Sequence, residues 1–306
     1  KVVLKNLLKK NDCPEFALKL IEGVRNKESP QWLKSRFRNC GIKLISYLVD
    51  VTNYLTFDIC RPLHVFDYDK IKGEIIIRHS SDGEKFKALD GLEYILEKNM
   101  IVICDDLGII SLAGIMGGER TACSLSTKNV LIESAYFNPE KIAYTGRKLK
   151  IDSDARYRFE RGIDPNSIKE GLEVAAELIV KICGGQVSKF VITGKSTQNN
   201  KIIKFEINKF EKLIGIPISI NKADKILSSL GFKCKKGKKD IKVEVPTWRP
   251  DIKLDEDLIE ELIRISGFSK IKLIEPEKKR LKETLNFKQK IFHLSQRALA
   301  SNGYLE

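Results

Sequence analysis

The sequence predicts an α+β protein: a mixed, β-rich domain with flanking helices, followed by a small winged-helix-like domain. Three observations predict it. Short apolar segments separated by turn residues fill 73–136, with helical patterns on either side instead of between them, which excludes a βαβ series. A polar stretch, STQNNK (196–201), reads as a linker. Beyond it come two short helices closed by glycines and then a hairpin.

The elements follow in chain order. FALKLIEGV (16–24) reads as a strand. Ser29 and Pro30 form an N-cap and first helical position, Trp32, Leu33 and Phe37 an apolar stripe, and Gly41 a stop, with Lys34, Arg36 and Arg38 on the other side. A second helix is expected over 45–57, because Ile45, Leu48, Val49 and Thr52 recur at helical spacing. Strands follow in GEIIIRHS (73–80), FKALDGLEYIL (86–96) around its Asp90-Gly91 turn, MIVICDDLGIISLAG (100–114) and NVLIESAYF (129–137). Helical signals return at Asn138-Pro139 and at Asp164-Pro165. The second of these helices keeps Leu172, Ala176, Ile179 and Ile182 on one face and ends at Gly184-Gly185. Between them, SDARYRFERGID (153–164) alternates charged and aromatic residues and reads as a strand with Tyr157 and Phe159 buried, and with Glu160 placed to pair an arginine. Past the linker, a helix over 208–214 closes at Gly215, another from Asn221 closes at Gly231, and a hairpin turns near Lys236-Gly237. Its lysines, Lys233, Lys235, Lys236, Lys238, Lys239 and Lys242, fit either a solvated edge that resists strand pairing or a nucleic-acid contact.

Composition narrows the class. The 306 residues give room for about two domains, and 42% hydrophobic with 31% charged residues is a soluble globular balance. No apolar run of about 18 residues and no secretory segment occurs, so a cytoplasmic protein without membrane association is expected. A chain that opens on Lys1 and stops at Glu306 inside a helical pattern is expected to be a piece of a longer one. The net charge of +14 suits a polyanionic partner, the alternative being a lysine-rich solvated surface. The seven cysteines, odd in number and without a C-x-x-C, predict reduced, mostly buried thiols, and three histidines leave little from which to build a zinc site.

Six stretches then coincide: CGIKLISYLVDVTNY (40–54), RPLHVFDYDKIKG (61–73), LAGIMGGE (112–119), NVLIESAYFNPEKI (129–142), SDARYRFERGIDP (153–165) and VPTWRPDIKLDEDLIEELIRISGF (245–268). Together, from about residue 12 to 272, they resemble the β-subunit family of bacterial phenylalanyl-tRNA synthetases. The resemblance implies an editing domain over 1–198, a B5-type winged-helix-like domain over 199–272, and the start of a catalytic-like core over 273–306. It implies hydrolysis of tyrosine wrongly esterified to tRNA(Phe). Its partners would be tRNA(Phe) and an α subunit, in an (αβ)2 tetramer, with aminoacylation left to α. The need for such a step is physical, since an apolar pocket that accepts Phe rejects an added hydroxyl only about a hundredfold.

The resemblance also implies roles for residues. Glu133 would recognise the phenol; read alone, it fits a glutamate on a strand's wet face. His64 would position water or the ester, or contact the terminal adenosine; read alone, it fits a satisfied core histidine. Asn53 would add a hydrogen bond or cap its helix. Gly117 and Gly118 would let the backbone approach a substrate ring or simply make a turn. Ser153 and Ala155 fall on pocket-lining positions, Ser153 where many relatives carry threonine. Lys43 stands where the family has an arginine that contributes to editing, so the planar fork is lost. Asp251, Asp257, Glu260 and Glu261 match the positions of a magnesium ion (Mg2+) shared with the α subunit; read alone, they are acids favoured in a helix's first turns. The alternatives are a tRNA-binding scaffold with a decayed pocket and, through the winged unit, DNA binding without an evident base-reading pattern.

Overall fold

A computed structural model of the chain describes residues 2–9, 11–195, 200–271 and 285–305. The linker positions 196–199, and 272–284 at the start of the expected third unit, lie outside the described residues.

The chain begins with β1 (Leu4–Asn6) and β2 (Glu15–Glu22), then α1 (Gln31–Asn39), α2 (Tyr47–Asp58) and β3 (His64–Asp67). Strands β4 (Ile75–His79), β5 (Glu84–Lys87), β6 (Glu93–Leu96), β7 (Ile101–Asp105), β8 (Gly108–Leu112), β9 (Met116–Gly117) and β10 (Asn129–Tyr136) follow. Helices α3 (Pro139–Leu149), α4 (Asp154–Phe159) and α5 (Ile168–Cys183) lead to β11 (Gln186–Val187) and β12 (Val191–Gly194). One sheet has the order β1-β4-β7-β8-β9; the second runs β11-β2-β10-β3, with β12 also pairing β2. The Asp90-Gly91 turn joins the β5–β6 hairpin.

The second sheet is the middle of three layers. On β2, Phe16, Leu18 and Leu20 pack toward the first sheet, with Ile75, Ile77 and Leu112, whereas Ala17 and Ile21 pack toward α1, α2 and α5. On β10, Leu131 and Ala135 take the first side and Val130 and Ile132 the second. A strand buried on both faces is apolar throughout instead of alternating, which explains the runs FALKLI and NVLI. Lys19, on the helix side of β2, is kept there by Glu173 at 2.5 Å and by the Phe190 ring at 4.2 Å.

The structure corrects several local expectations. SDARYRF is a helix, not a strand: Ser153 Oγ accepts from Arg156 N–H at 3.1 Å as an N-cap, and Asp154–Arg158 and Arg156–Glu160 pair one turn apart. The period of two lay in the charges, not in the burial, since Phe159 is buried and Tyr157 is 53% exposed. Ser29 does not cap α1; its hydroxyl donates to Asp50 at 2.6 Å, and the helix starts one residue later. In α2 the buried stripe is Tyr47, Leu48, Val51 and Leu55, while Ile45 is outside the helix and exposed. Among the described residues all seven cysteines are free thiols, but Cys40 and Cys60 are exposed.

The second unit has its own apolar core around Phe205, Phe210, Leu227, Val243 and Leu258. It comprises β13 (Ile202–Glu206), α6 (Ile207–Ile214), α7 (Ile220–Ser229), β14 (Lys233–Lys236), β15 (Asp240–Glu244) and α8 (Asp255–Ser266). Helices α6 and α7 and the β14–β15 hairpin stand where the sequence predicts them; β13, which completes a sheet of order β13-β15-β14, and α8 are additional. Gly215 ends α6 in the left-handed conformation. A last helix, α9 (Phe287–Ser301), has no buried residue. Among the described residues no helix is long and apolar enough to cross a membrane.

Candidate functional site

The antiparallel register of β3 and β10 sets Glu133 directly opposite His64. Both belong to the face that carries Phe66, Leu131 and Ala135, so both point into the gap between the sheets. There they line a cleft of about 360 Å3, counting the space open to solvent, together with Gly117, Ala155, Met116 and Phe159. Four segments distant in sequence thus bring His64, Gly117, Glu133 and Ala155 to one place. Glu133 has no wet face available, because its strand is covered on both sides.

The cleft is neutral at physiological pH. Burial pushes the Glu133 carboxyl up to about 8, so it holds its proton, and its Oε2 is buried without a hydrogen-bond partner. Burial pushes the His64 imidazole down to about 4, so it stays uncharged. The His64 ring stands edge-on to Phe66, with 4.4 Å between centroids. A neutral carboxyl both donates and accepts, as a phenol does, and a buried one without a partner retains the full cost of desolvation until a ligand meets it.

Gly117 serves His64 before it serves any ligand. A Cβ there would lie 2.3 Å from the imidazole Cε1 and 2.5 Å from Nε2, so the ring occupies the space that the missing side chain leaves. Gly118 does not line the cleft; its N–H donates to the Ile110 carbonyl at 2.8 Å, and a Cβ would press on that same oxygen. Ser153 also stays out of the lining. Its hydroxyl donates to the Ile115 carbonyl at 2.8 Å and caps α4, which fixes the wall bearing Ala155. Asn53 sits half-buried in the middle of α2, so it caps nothing, and Lys43 is exposed on the loop before α2; neither lines the cleft.

Sequence reasoning missed Arg61. Fully buried three residues before His64, it donates to the carbonyls of Ala135 (3.1 Å) and Asp164 and, through Nε, to Ser167 Oγ at 3.0 Å. It ties the strand just beyond Glu133 to the start of α5. Gly171 makes room for it, since a Cβ there would meet Arg61 Cγ at 2.7 Å. Burial lowers its pKa to about 10, which still leaves it charged at neutral pH. An arginine beside a proline carries no signal of this; Gly171, an isolated glycine within a helical pattern, was the only hint.

Asp251, Asp257, Glu260 and Glu261 do not converge on one point. Arg249 donates to Asp251 at 2.6 Å and to Glu261 at 2.8 Å, and Glu261 also accepts from Arg264. Asp257 caps α8, accepting from the N–H groups of Lys253 (2.7 Å) and Leu254 (2.8 Å), and Glu260 is exposed. Among the described residues no group of three or more His, Cys, Asp or Glu side chains is placed to hold a metal ion. As this chain arranges them, Asp251 and Glu261 are bound by guanidiniums and Asp257 by backbone N–H groups, so these side chains do not present a converging set of oxygens to Mg2+.

Comparison with known proteins places these observations in a family. The B3/4 domain family profile matches residues 12–184, and that of the tRNA synthetase B5 domain matches 203–268. The phenylalanine–tRNA ligase beta subunit of Rhodopseudomonas palustris is 46% identical over 296 residues, covering 96% of this chain and 37% of the relative. That of Nitrobacter winogradskyi is 44% identical over 296 residues, 96% of this chain and 36% of the relative. The chain therefore spans just over a third of the length of these relatives. An N-terminal fragment of the phenylalanyl-tRNA synthetase beta subunit from Pyrococcus horikoshii aligns at 18% identity and a TM-score of 0.41 over 85% of this chain and 73% of that one, a likeness too loose to argue from.

Proposed function

The chain belongs to the B3/4 domain family, and from that premise we propose that it is the editing region of a phenylalanine–tRNA ligase beta subunit, which releases tyrosine wrongly esterified to tRNA(Phe). The observation that carries this reading is the Glu133 carboxyl, neutral, buried and unpartnered, set across the strand pair from His64 in the inter-sheet cleft.

The chemistry follows from these groups. A tyrosyl phenol entering the cleft gives Glu133 Oε2 the partner it lacks, whereas phenylalanine would leave it unpaired at a cost of about 1–3 kcal/mol. The correct product is spared for that reason. Ala155 keeps the entrance free of bulk. An imidazole with a pKa near 4 is a weak base at neutral pH, so His64 contributes by orienting the ester or a water instead of by removing a proton. Orientation alone supplies several kcal/mol in such reactions, up to about 7–11.

The partners proposed with this function are tRNA(Phe), drawn by the +14 charge, and an α subunit, in an (αβ)2 tetramer in the cytoplasm. The test is Glu133→Ala in the assembled enzyme, with release of tyrosine from Tyr-tRNA(Phe) measured in single turnover. A loss of about tenfold or more is expected. Undiminished hydrolysis overturns the assignment, and hydrolysis absent from the unsubstituted enzyme would leave a tRNA-binding scaffold instead.

A further inference from the structure

A strip of exposed aromatic rings interleaved with arginines runs from α1 across α2 to α4. Trp32 is 39% exposed and meets Tyr54 edge-on at 5.3 Å. The Arg36 guanidinium lies 5.5 Å from the Trp32 ring and 5.4 Å from that of Tyr54, and donates to the Tyr54 hydroxyl at 2.6 Å. One turn further along α2, Phe57 is 43% exposed and carries the Arg158 guanidinium 4.5 Å above its ring. Next on α4 stands Tyr157, 53% exposed, with its own arginine, Arg161, at 3.7 Å. Arg158 is one helical turn from Ala155, which lines the cleft, so the Phe57–Arg158 pair stands on the side of α4 that faces the cleft.

Exposed rings of this size have a cost in water unless something covers them, and a strip of them is not the ordinary scatter of surface apolar residues. Its composition selects the cover. Rings and guanidinium planes are the surfaces on which unpaired bases stack, and the cations suit a phosphate backbone. The nearby carboxylates are already engaged: Glu28 by Lys34, Asp58 by Tyr54, Asp154 by Arg158, and Glu160 by Arg156 and Arg161, so Arg158 and Arg161 meet a phosphate as members of ion pairs and Arg36 as a guanidinium bound to the Tyr54 hydroxyl. An acidic or purely apolar peptide would leave either the rings or the arginines unmatched.

We propose that this strip is the platform on which the single-stranded 3′ end of an RNA stacks on its way to the cleft. That the RNA is a tRNA rests on the function proposed above. The measurement is affinity of the assembled enzyme, at about 0.15 M ionic strength, for an RNA hairpin with a four-nucleotide 3′ overhang and for the same hairpin with a blunt end. Trp32→Ala and Tyr157→Ala should each weaken binding of the overhang hairpin about fivefold or more and leave the blunt one unchanged, since stacking contributes about 1–3 kcal/mol per base. Trp32→Phe, which keeps a ring, should retain binding, and thermal melts of all variants should match. Unchanged affinity for the overhang hairpin, or equal weakening of both hairpins, overturns the proposal. The outcome is separable from that for hydrolysis: weakened overhang binding with undiminished activity of Glu133→Ala keeps the strip and removes the editing function, and the converse removes only the strip.

Discussion

Glu133 in the inter-sheet cleft and Glu261 on α8 are almost equally buried, 6% and 7% exposed, yet their surroundings are opposite. Glu133 has an oxygen without a partner, and burial drives its carboxyl up to about 8. Glu261 is also pushed up by burial, but the Arg249 and Arg264 guanidiniums outweigh that and hold it below the usual carboxylate range. The Arg249 hydrogen bond likewise lowers Asp251. Burial alone therefore does not mark a functional carboxylate. What separates the two is satisfaction: a carboxylate already held by arginine is part of the scaffold, whereas one kept neutral and unpartnered is available to a ligand.

The largest expected effect removes the satisfaction at Glu261. Arg249→Met/Arg264→Met should destabilise the second unit by about 3 kcal/mol, because it strands a buried charge that two guanidiniums hold, and adding Glu261→Gln should recover much of that in urea unfolding. Stability equal to the parent's without both guanidiniums would show that Glu261 does not depend on them. Next comes Gly117→Ala, whose Cβ collides with the His64 ring. Displacing the ring by about 1 Å should slow tyrosine release about a hundredfold, and unaltered kinetics would show that the position of His64 is irrelevant. The smallest effect concerns pH. The folded-state pKa of Glu133 is raised from 4.5 to about 8, so the stability its proton confers is fully present below about 4.5 and is lost as pH rises through about 8. Glu133→Gln should abolish that loss, a gain on the order of 2 kcal/mol between pH 6 and 8. Parallel pH profiles for the two proteins would show that Glu133 ionises freely. His64 acts in the other direction: its pKa is depressed to about 4, so the stability it confers is present above about 6.5 and lost as pH falls through about 4.

Much of the chain was legible from local chemistry. The Asp90-Gly91 hairpin, the glycine-closed helices of the second unit and the buried strands of 16–24 and 129–137 depend on turn conformations and on apolar runs that residue type alone dictates. SDARYRF was misread because a period of two in charge mimics a strand, while the cap at Ser153 and the one-turn ion pairs decide for a helix. Arg61 escaped notice because nothing in RPLH distinguishes a buried arginine from an exposed one.

By itself, then, the sequence determined the α+β class, most of the longer helices and strands and the residue types from which a cleft could be built, since each depends on neighbours within a few positions. Tertiary structure alone decided which of those residues meet. The β3–β10 register set His64 against Glu133, the covering of both faces of the middle sheet made that glutamate neutral, and the Arg249 guanidinium engaged Asp251 and Glu261. The physical reason is that pKa, burial and hydrogen-bond satisfaction are properties of the space around a side chain, and that space is supplied by segments far away in the chain.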